Sequence, residues 1–305
     1  MHTRFEALWV PVAGRGVMLP SEKNGREDQN RPETFLPSGE SGREEQFGDL
    51  EAENRAAAEK IEAEVRRLEG VFNRFDAKSA VAALNRSREK AKVEDEDLWF
   101  LLEFCEQMRA ATQGHFDIAA LSSGRTGEAR FTLYHPSHEI KLSKGCVLDF
   151  GGIAKGYALE KVRKILCEEN GVESALLNFG GSSVLGIGHH PLGPCWKVAA
   201  EEPSPEGDGG ESAKDATAGS SSGAGREFEL RDNALSVSGR SRDGRNHIIN
   251  PRTGRAPSRE GNIAVQGRSA LVCEALSTAL YAAEPEVRNE IIANFEGYTV
   301  TEYER

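Results

Sequence analysis

The stretch from Cys146 to Phe179 constrains the fold more than any other part of the chain. Cys146 to Phe150 is a short strand-like run that meets Gly151-Gly152. A helical pattern follows, carried by Ala158, Val162, Ile165 and Leu166, and Ser174 to Phe179 then reads as a second buried strand. Strand, glycine turn, helix and strand together require a sheet with a helix packed against it. Amphipathic helices are expected upstream, over Asn54 to Leu68 and Leu98 to Met108, where apolar residues recur every three or four positions. Downstream, Trp196 to Ala200, Phe228 to Leu230, Ala234 to Ser238 and Ile263 to Val265 read as strands, and Ala270 to Ala282 as a helix. Clean alternations of strand and helix are few, so the expected class is α+β.

Two segments cannot bury enough apolar surface to offset the entropy of ordering them. The first, residues 20–47, is rich in Glu, Arg, Gly and Pro, with Phe35, Leu36 and Phe47 as its sizeable apolar residues. The second, residues 203–226, has no aromatic, Leu, Ile, Val or Met before its end at Arg226, and its Ser-Ser-Ser-Gly-Ala-Gly run reads as linker. Both are expected to be flexible insertions in a chain of 305 residues, which is long enough for one large or two ordinary domains.

A net charge of −11, from 49 acidic against 38 basic residues, gives no electrostatic footprint for nucleic acid or an anionic membrane surface. The five cysteines are odd in number and widely spaced, without the pairing of a disulfide framework or a zinc site. Near the N-terminus, Leu8 to Leu19 is interrupted by Pro11, Gly14, Arg15 and Gly16, so no leader is visible and the expected location is cytoplasmic. A missing leader would instead allow a periplasmic or membrane-anchored protein. The longest stretch free of Asp, Glu, Lys and Arg, Ser174 to Trp196, carries too many glycines, prolines and histidines for a bilayer helix.

Four segments combine residues that could carry chemistry. Asp149-Phe-Gly-Gly-Ile-Ala-Lys-Gly-Tyr-Ala158 places an acid before a glycine pair and Lys155 in the first turn of a helix. The arrangement is either a cradle for a diphosphate at a helix N-terminus or a plain tight turn. Asn178-Phe-Gly-Gly-Ser182 reads first as a loop or bulge glycine pair. His247-Ile-Ile-Asn-Pro-Arg-Thr-Gly254 joins a histidine to two turn signals. Glu274, Ser277 and Thr278 lie at i, i+3 and i+4, where they form either a set of hard oxygen ligands suited to Mg²⁺ or a polar stripe.

In this order and at these spacings, the segments resemble those of the FAD:protein FMN transferases, the ApbE family. Met1-His-Thr-Arg-Phe-Glu6 resembles an opening M-G-T strand; Phe72 to Ser79 with Leu84-Asn85 resembles Y-x-x-x-S…L-N; Gly114-His-Phe-Asp-Ile118 resembles G-x-F-D-[IVP]. The D-x-G-G-I-A-K-G-Y block at Asp149 to Tyr157 and the H-I-I-[DN]-P-x-T-G block at His247 to Gly254 are the most specific.

The resemblance implies a single domain of mixed or antiparallel sheets flanked by helices. It also implies Mg²⁺-dependent transfer of FMN from FAD to a Ser or Thr hydroxyl of an acceptor flavoprotein, with release of AMP. Carried over position by position, it assigns FAD binding to Met1, Phe75, Phe116, Asp117, Asp149, Lys155 and Ile249. The metal falls to the carbonyl of Gly152 with Glu274, Ser277 and Thr278, and the base to His247. Departures are visible: Glu274 replaces an Asp, Phe75 a Tyr, and Val237-Ser-Gly-Arg240 a T-S-G-D. They motivate two alternatives, an FAD-binding protein without transfer and an FAD diphosphatase giving FMN and AMP.

Overall fold

Strands whose two faces are both covered read as near-continuous apolar runs, and Ser183–Ile187, buried at every position, is such a strand. The computed structural model describes residues 4–10, 17–18, 44–87, 89–122, 130–200, 226–239 and 248–303. In chain order these form β1 (Phe5–Val10), β2 (Val17–Met18), α1 (Glu44–Phe72), α2 (Ala80–Arg86), β3 (Ala91–Lys92), α3 (Glu96–Ala111), β4 (Phe131–Tyr134) and β5 (Glu139–Leu142). There follow α4 (Ala154–Lys164), β6 (Ser174–Phe179), β7 (Ser183–Ile187), β8 (Trp196–Ala200), β9 (Arg226–Leu230), β10 (Asn233–Ser238), β11 (Asn262–Gly267), α5 (Ala270–Ala282), α6 (Pro285–Ile292) and β12 (Thr299–Tyr303).

A seven-stranded sheet in the order β12-β11-β10-β7-β6-β1-β2 is antiparallel throughout. Ala175 and Leu177 of β6 and Leu185 of β7 face the α4–α5 layer, where Leu159, Val162, Leu276 and Leu280 complete one core. On the other face, Val184, Leu235 and Ala264 pack against Trp196, Phe228 and Leu230 of the β8–β9 hairpin. A further core joins α1, α2 and α3 to the small β3-β5-β4 sheet. The helix α5 contributes Leu271, Ala275 and Ala279 to that core and Cys273, Leu276 and Leu280 to the sheet core. A helix wedged between two cores must be apolar on most of its circumference, so the carboxylate of Glu274 and the hydroxyl of Ser277, both buried within it, each need a partner.

The α+β class is therefore borne out, as are the helices over 54–68 and 98–108, which lie inside α1 and α3. Ser269 caps α5, its hydroxyl accepting from the Val272 amide at 3.3 Å; Asp95 does the same for α3 from Leu98 at 2.8 Å. The strand expected at Cys146 to Phe150 is a correction. Its residues alternate buried and half-buried, yet the segment joins none of the sheets among the described residues. The Asn85 side chain instead brackets Leu148, donating to its carbonyl at 2.9 Å and accepting from its amide at 2.7 Å. The amide of Asp149 donates to the Ile118 carbonyl at 2.8 Å. Side-chain and loop bonds thus satisfy the backbone where a ladder was expected.

The expected loops also end earlier than anticipated: α1 starts at Glu44 and β9 at Arg226. Residues 20–43 and 203–225 lie outside the described residues. Among the described residues no helix is long and apolar enough to cross a membrane.

Candidate active site at the start of α4

Four amides at the beginning of a helix lack intrahelical acceptors, and they carry the positive end of its dipole. At α4 the residue in the capping position is Ile153, which has no side-chain acceptor to offer. A partner arrives from α5 instead: the carboxylate of Glu274 accepts from the Gly156 amide through Oε2 and pairs with the Lys155 ammonium through Oε1. Gly156 makes this approach possible. A Cβ at that position would lie 2.4 Å from the Ala270 carbonyl oxygen and 3.0 Å from Glu274 Oε2, so any side chain would force the two helices apart. Glu274 is 3% exposed, and an ammonium with a helix N-terminus is the compensation a carboxylate at that depth requires.

One turn further along α5, Thr278 faces the glycine turn. A Cβ on Gly152 would lie 3.3 Å from both Thr278 Oγ1 and Cγ2 and 3.7 Å from the Phe116 ring. Gly152, Glu274, Thr278, Lys155 and Phe116 are thus brought together. Asp149, at the other side of the turn, accepts from the Gly151 amide at 2.9 Å and from Arg74 Nε at 2.8 Å. The Arg74 guanidinium lies 4.1 Å from the centroid of the Phe75 ring, and that ring is 74% exposed. A cation beneath an open aromatic face makes a platform for a flat ligand.

Other expected residues are placed differently. Ser277 is fully buried and committed to the sheet: its hydroxyl donates to the Glu274 carbonyl at 3.1 Å and lies 3.0 Å from the Ser236 hydroxyl and 2.9 Å from that of Ser238. Those serines are two apart on β10 and so share a face. Asp117 is held by Arg109 at 3.3 Å and by Arg130, and accepts from the Ala119 amide at 2.8 Å. Burial pulls the Arg130 guanidinium down, but Asp117 and Glu106 outweigh it and hold it above its ordinary value. Ile249 is half-buried beside Asn250, whose side chain donates to the Ala282 carbonyl at 2.9 Å and Glu284 Oε1 at 3.1 Å. That bond ties the loop carrying Ile249 to the C-terminal end of α5. Met1, Arg240 and His247 lie outside the described residues.

Sequence reasoning missed Arg74, Arg109, Arg130, Ser236 and Asn85. Of these, Arg74 and Asn85 lie within motif segments, though their bonds to Asp149 and Leu148 were not visible there. A hard divalent cation accepts carboxylate, hydroxyl and carbonyl oxygen together; Glu274 and Thr278, one turn apart on α5, bring a carboxylate and a hydroxyl to the neighbourhood of Gly152. Ser277, engaged with β10, does not join them. Among the described residues there is no group of three or more His, Cys, Asp and Glu that could hold a metal ion. A thiol nucleophile is not built here either, since burial pushes the Cys273 and Cys105 thiols well up from their ordinary value.

Fold and site together define an α+β protein in which a helix N-terminus carrying a lysine is set against a carboxylate from a neighbouring helix. The chain belongs to the ApbE family, whose model matches residues 45–301. Solved structures share the fold. An ApbE protein from Thermotoga maritima is 23% identical with a TM-score of 0.63, covering 81% of this chain and 86% of that one. The apo flavinyl transferase ApbE of Pseudomonas stutzeri is 20% identical with a TM-score of 0.62, covering 82% and 86%. The flavin transferase ApbE of Vibrio cholerae is 17% identical with a TM-score of 0.64, covering 99% and 97%. No curated protein sequence matches the chain.

Proposed function

We propose that the chain transfers FMN from FAD to a Ser or Thr hydroxyl of an acceptor flavoprotein and releases AMP. The observation that carries this reading is the meeting of α4's first turn with Lys155, Glu274 and Thr278 at a glycine turn bordered by Phe116 and linked to Phe75 through Asp149 and Arg74. The family and the flavin transferases that share the fold support it.

In the reaction the acceptor oxygen forms a bond to the phosphorus of the FMN half while the bond to the AMP phosphate breaks. The acceptor's proton goes to His247, and AMP departs with the bridging oxygen. Lys155 and the positive end of the α4 dipole hold the diphosphate by charge, while the Ile153 and Ala154 amides stay with the Phe150 carbonyl at 3.0 and 2.9 Å. The open Phe75 ring stacks on the isoalloxazine, and Phe116 borders the glycine turn on its buried side. Asp149 keeps Arg74 beneath Phe75 and so fixes that platform. Glu274, Thr278 and the Gly152 carbonyl would hold Mg²⁺, with Ser277 steadying α5 against β10. When bound, the cation supplies neutralisation of charge on the phosphate oxygens.

The test is incubation of the chain with FAD, Mg²⁺ and a flavoprotein subunit that accepts phosphoester-linked flavin. Mass spectrometry is expected to find one FMN added to the subunit, and His247→Ala to lower the rate by about a hundredfold or more. A second reading, FAD binding without transfer, is favoured by one observation: both oxygens of Glu274 are already engaged. AMP in the reaction excludes it. FMN formed without any acceptor would indicate a diphosphatase instead.

A further inference from the structure

Glu274 and Lys155 are unequal partners. The carboxylate is 3% exposed and locked by the Gly156 amide as well as the ammonium, whereas the Lys155 side chain is 23% exposed. The ammonium, on a flexible stem at the rim, can exchange one anion for another; the carboxylate has nowhere to go. A divalent cation arriving alone at Glu274 would leave two uncompensated positive charges beside Lys155 and the positive end of α4, in a place largely closed to water. A diphosphate brings two negative charges to that helix end and cancels them. The site is balanced when neither has bound, or when both have.

We propose that Lys155 is an internal latch on Glu274. Without a diphosphate its ammonium occupies Oε1 and keeps the carboxylate from a divalent cation. A diphosphate at the start of α4 draws the ammonium onto its own oxygens and frees Oε1, so substrate binds before metal. This inference rests on the FAD reading for the identity of the diphosphate, while the latch itself is a property of the ligand-free chain.

The length of Glu274 is part of the device. Its side chain spans α5 to α4 and reaches both Lys155 and the Gly156 amide. Glu274→Asp keeps the net charge but shortens the reach by one methylene, so it weakens the latch while also drawing the carboxylate back from a cation. Lys155→Met removes the ammonium and keeps the stem.

The test is Mn²⁺ binding to the full-length chain without flavin, read from the electron paramagnetic resonance signal of free Mn²⁺. Lys155→Met is expected to bind Mn²⁺ about tenfold or more tightly than the unaltered chain. Glu274→Asp is expected to move in the same direction by a smaller factor. Equal Mn²⁺ affinity in all three proteins overturns the latch. If Lys155→Met fails to fold, judged by circular dichroism, Lys155→Gln, which leaves Glu274 as it is, takes its place: tighter binding supports the latch and unchanged or weaker binding overturns it. FAD binding in the presence of a chelator, followed by flavin fluorescence, is a separate arm. Its failure removes the FAD reading and leaves the Mn²⁺ comparison to judge the latch.

Discussion

Two glycine pairs follow buried apolar runs in this chain, and they are glycines for different reasons. Gly180 and Gly181 turn the chain between β6 and β7 with φ of +66° and +71°, angles that side chains with a Cβ avoid. A Cβ on Gly181 would meet nothing within 4 Å among the described residues, so the backbone alone requires glycine there. Gly152 is absent from the positive-φ residues, and its constraint is room: Thr278 and the Phe116 ring lie against the space a Cβ would fill. Gly156, one helical turn on, is a tighter case of that second kind. The same dipeptide therefore marks a conformation in one place and a close approach in the other, and it is the close approach that builds the candidate site.

Among the glycines compared, the largest effect is expected at Gly156, where two helix backbones meet. Gly156→Ala places a methyl 2.4 Å from the Ala270 carbonyl oxygen, and separating α4 from α5 is expected to cost about 3 kcal/mol. Urea unfolding measures it, and a loss below about 1 kcal/mol would mean that the helices are free to part. Gly152→Ala sharpens the contrast in function. Its methyl meets the flexible end of Thr278 at 3.3 Å, so the expected stability change is below about 1 kcal/mol while FAD turnover falls about tenfold. Steady-state kinetics beside the unfolding curve would expose a mere packing defect, which would lower stability and spare turnover. The smallest effect belongs to Gly181→Ala, expected to cost about 1 kcal/mol through the left-handed backbone and to leave FAD affinity unchanged. Weaker FAD binding in that variant would break the comparison, because the hairpin turn would then belong to the site.

What was legible in the sequence follows the same division. Helix α5 was read at its observed ends from its apolar residues, and Ser269 caps it. The strands β6, β8, β10 and β11 were legible from apolar runs bounded by turn residues. At Cys146 to Phe150 the alternation correctly reported burial, but periodicity does not say whether the backbone partner is a strand or an asparagine. Ser277 and Thr278 lie about 100° apart around a helix, so one spacing rule admitted both to a single face. Only the packing of β10 on one side and the glycine turn on the other separates them. The arginines were illegible for a related reason. Arg74 meets Asp149 across 75 residues, and no local pattern announces such a pair. Family motifs supplied Phe75, Asp149, Lys155 and Glu274 as site residues, while their mutual contacts came from the fold.

The central claim is that the start of α4 and the oxygen-bearing face of α5 form a site for cleaving the diphosphate of FAD. The most direct test is AMP release from FAD by the purified chain with an acceptor flavoprotein, with Mg²⁺ and again with a chelator. The account predicts AMP with Mg²⁺ and none with the chelator. FAD bound tightly with no AMP under either condition would contradict it.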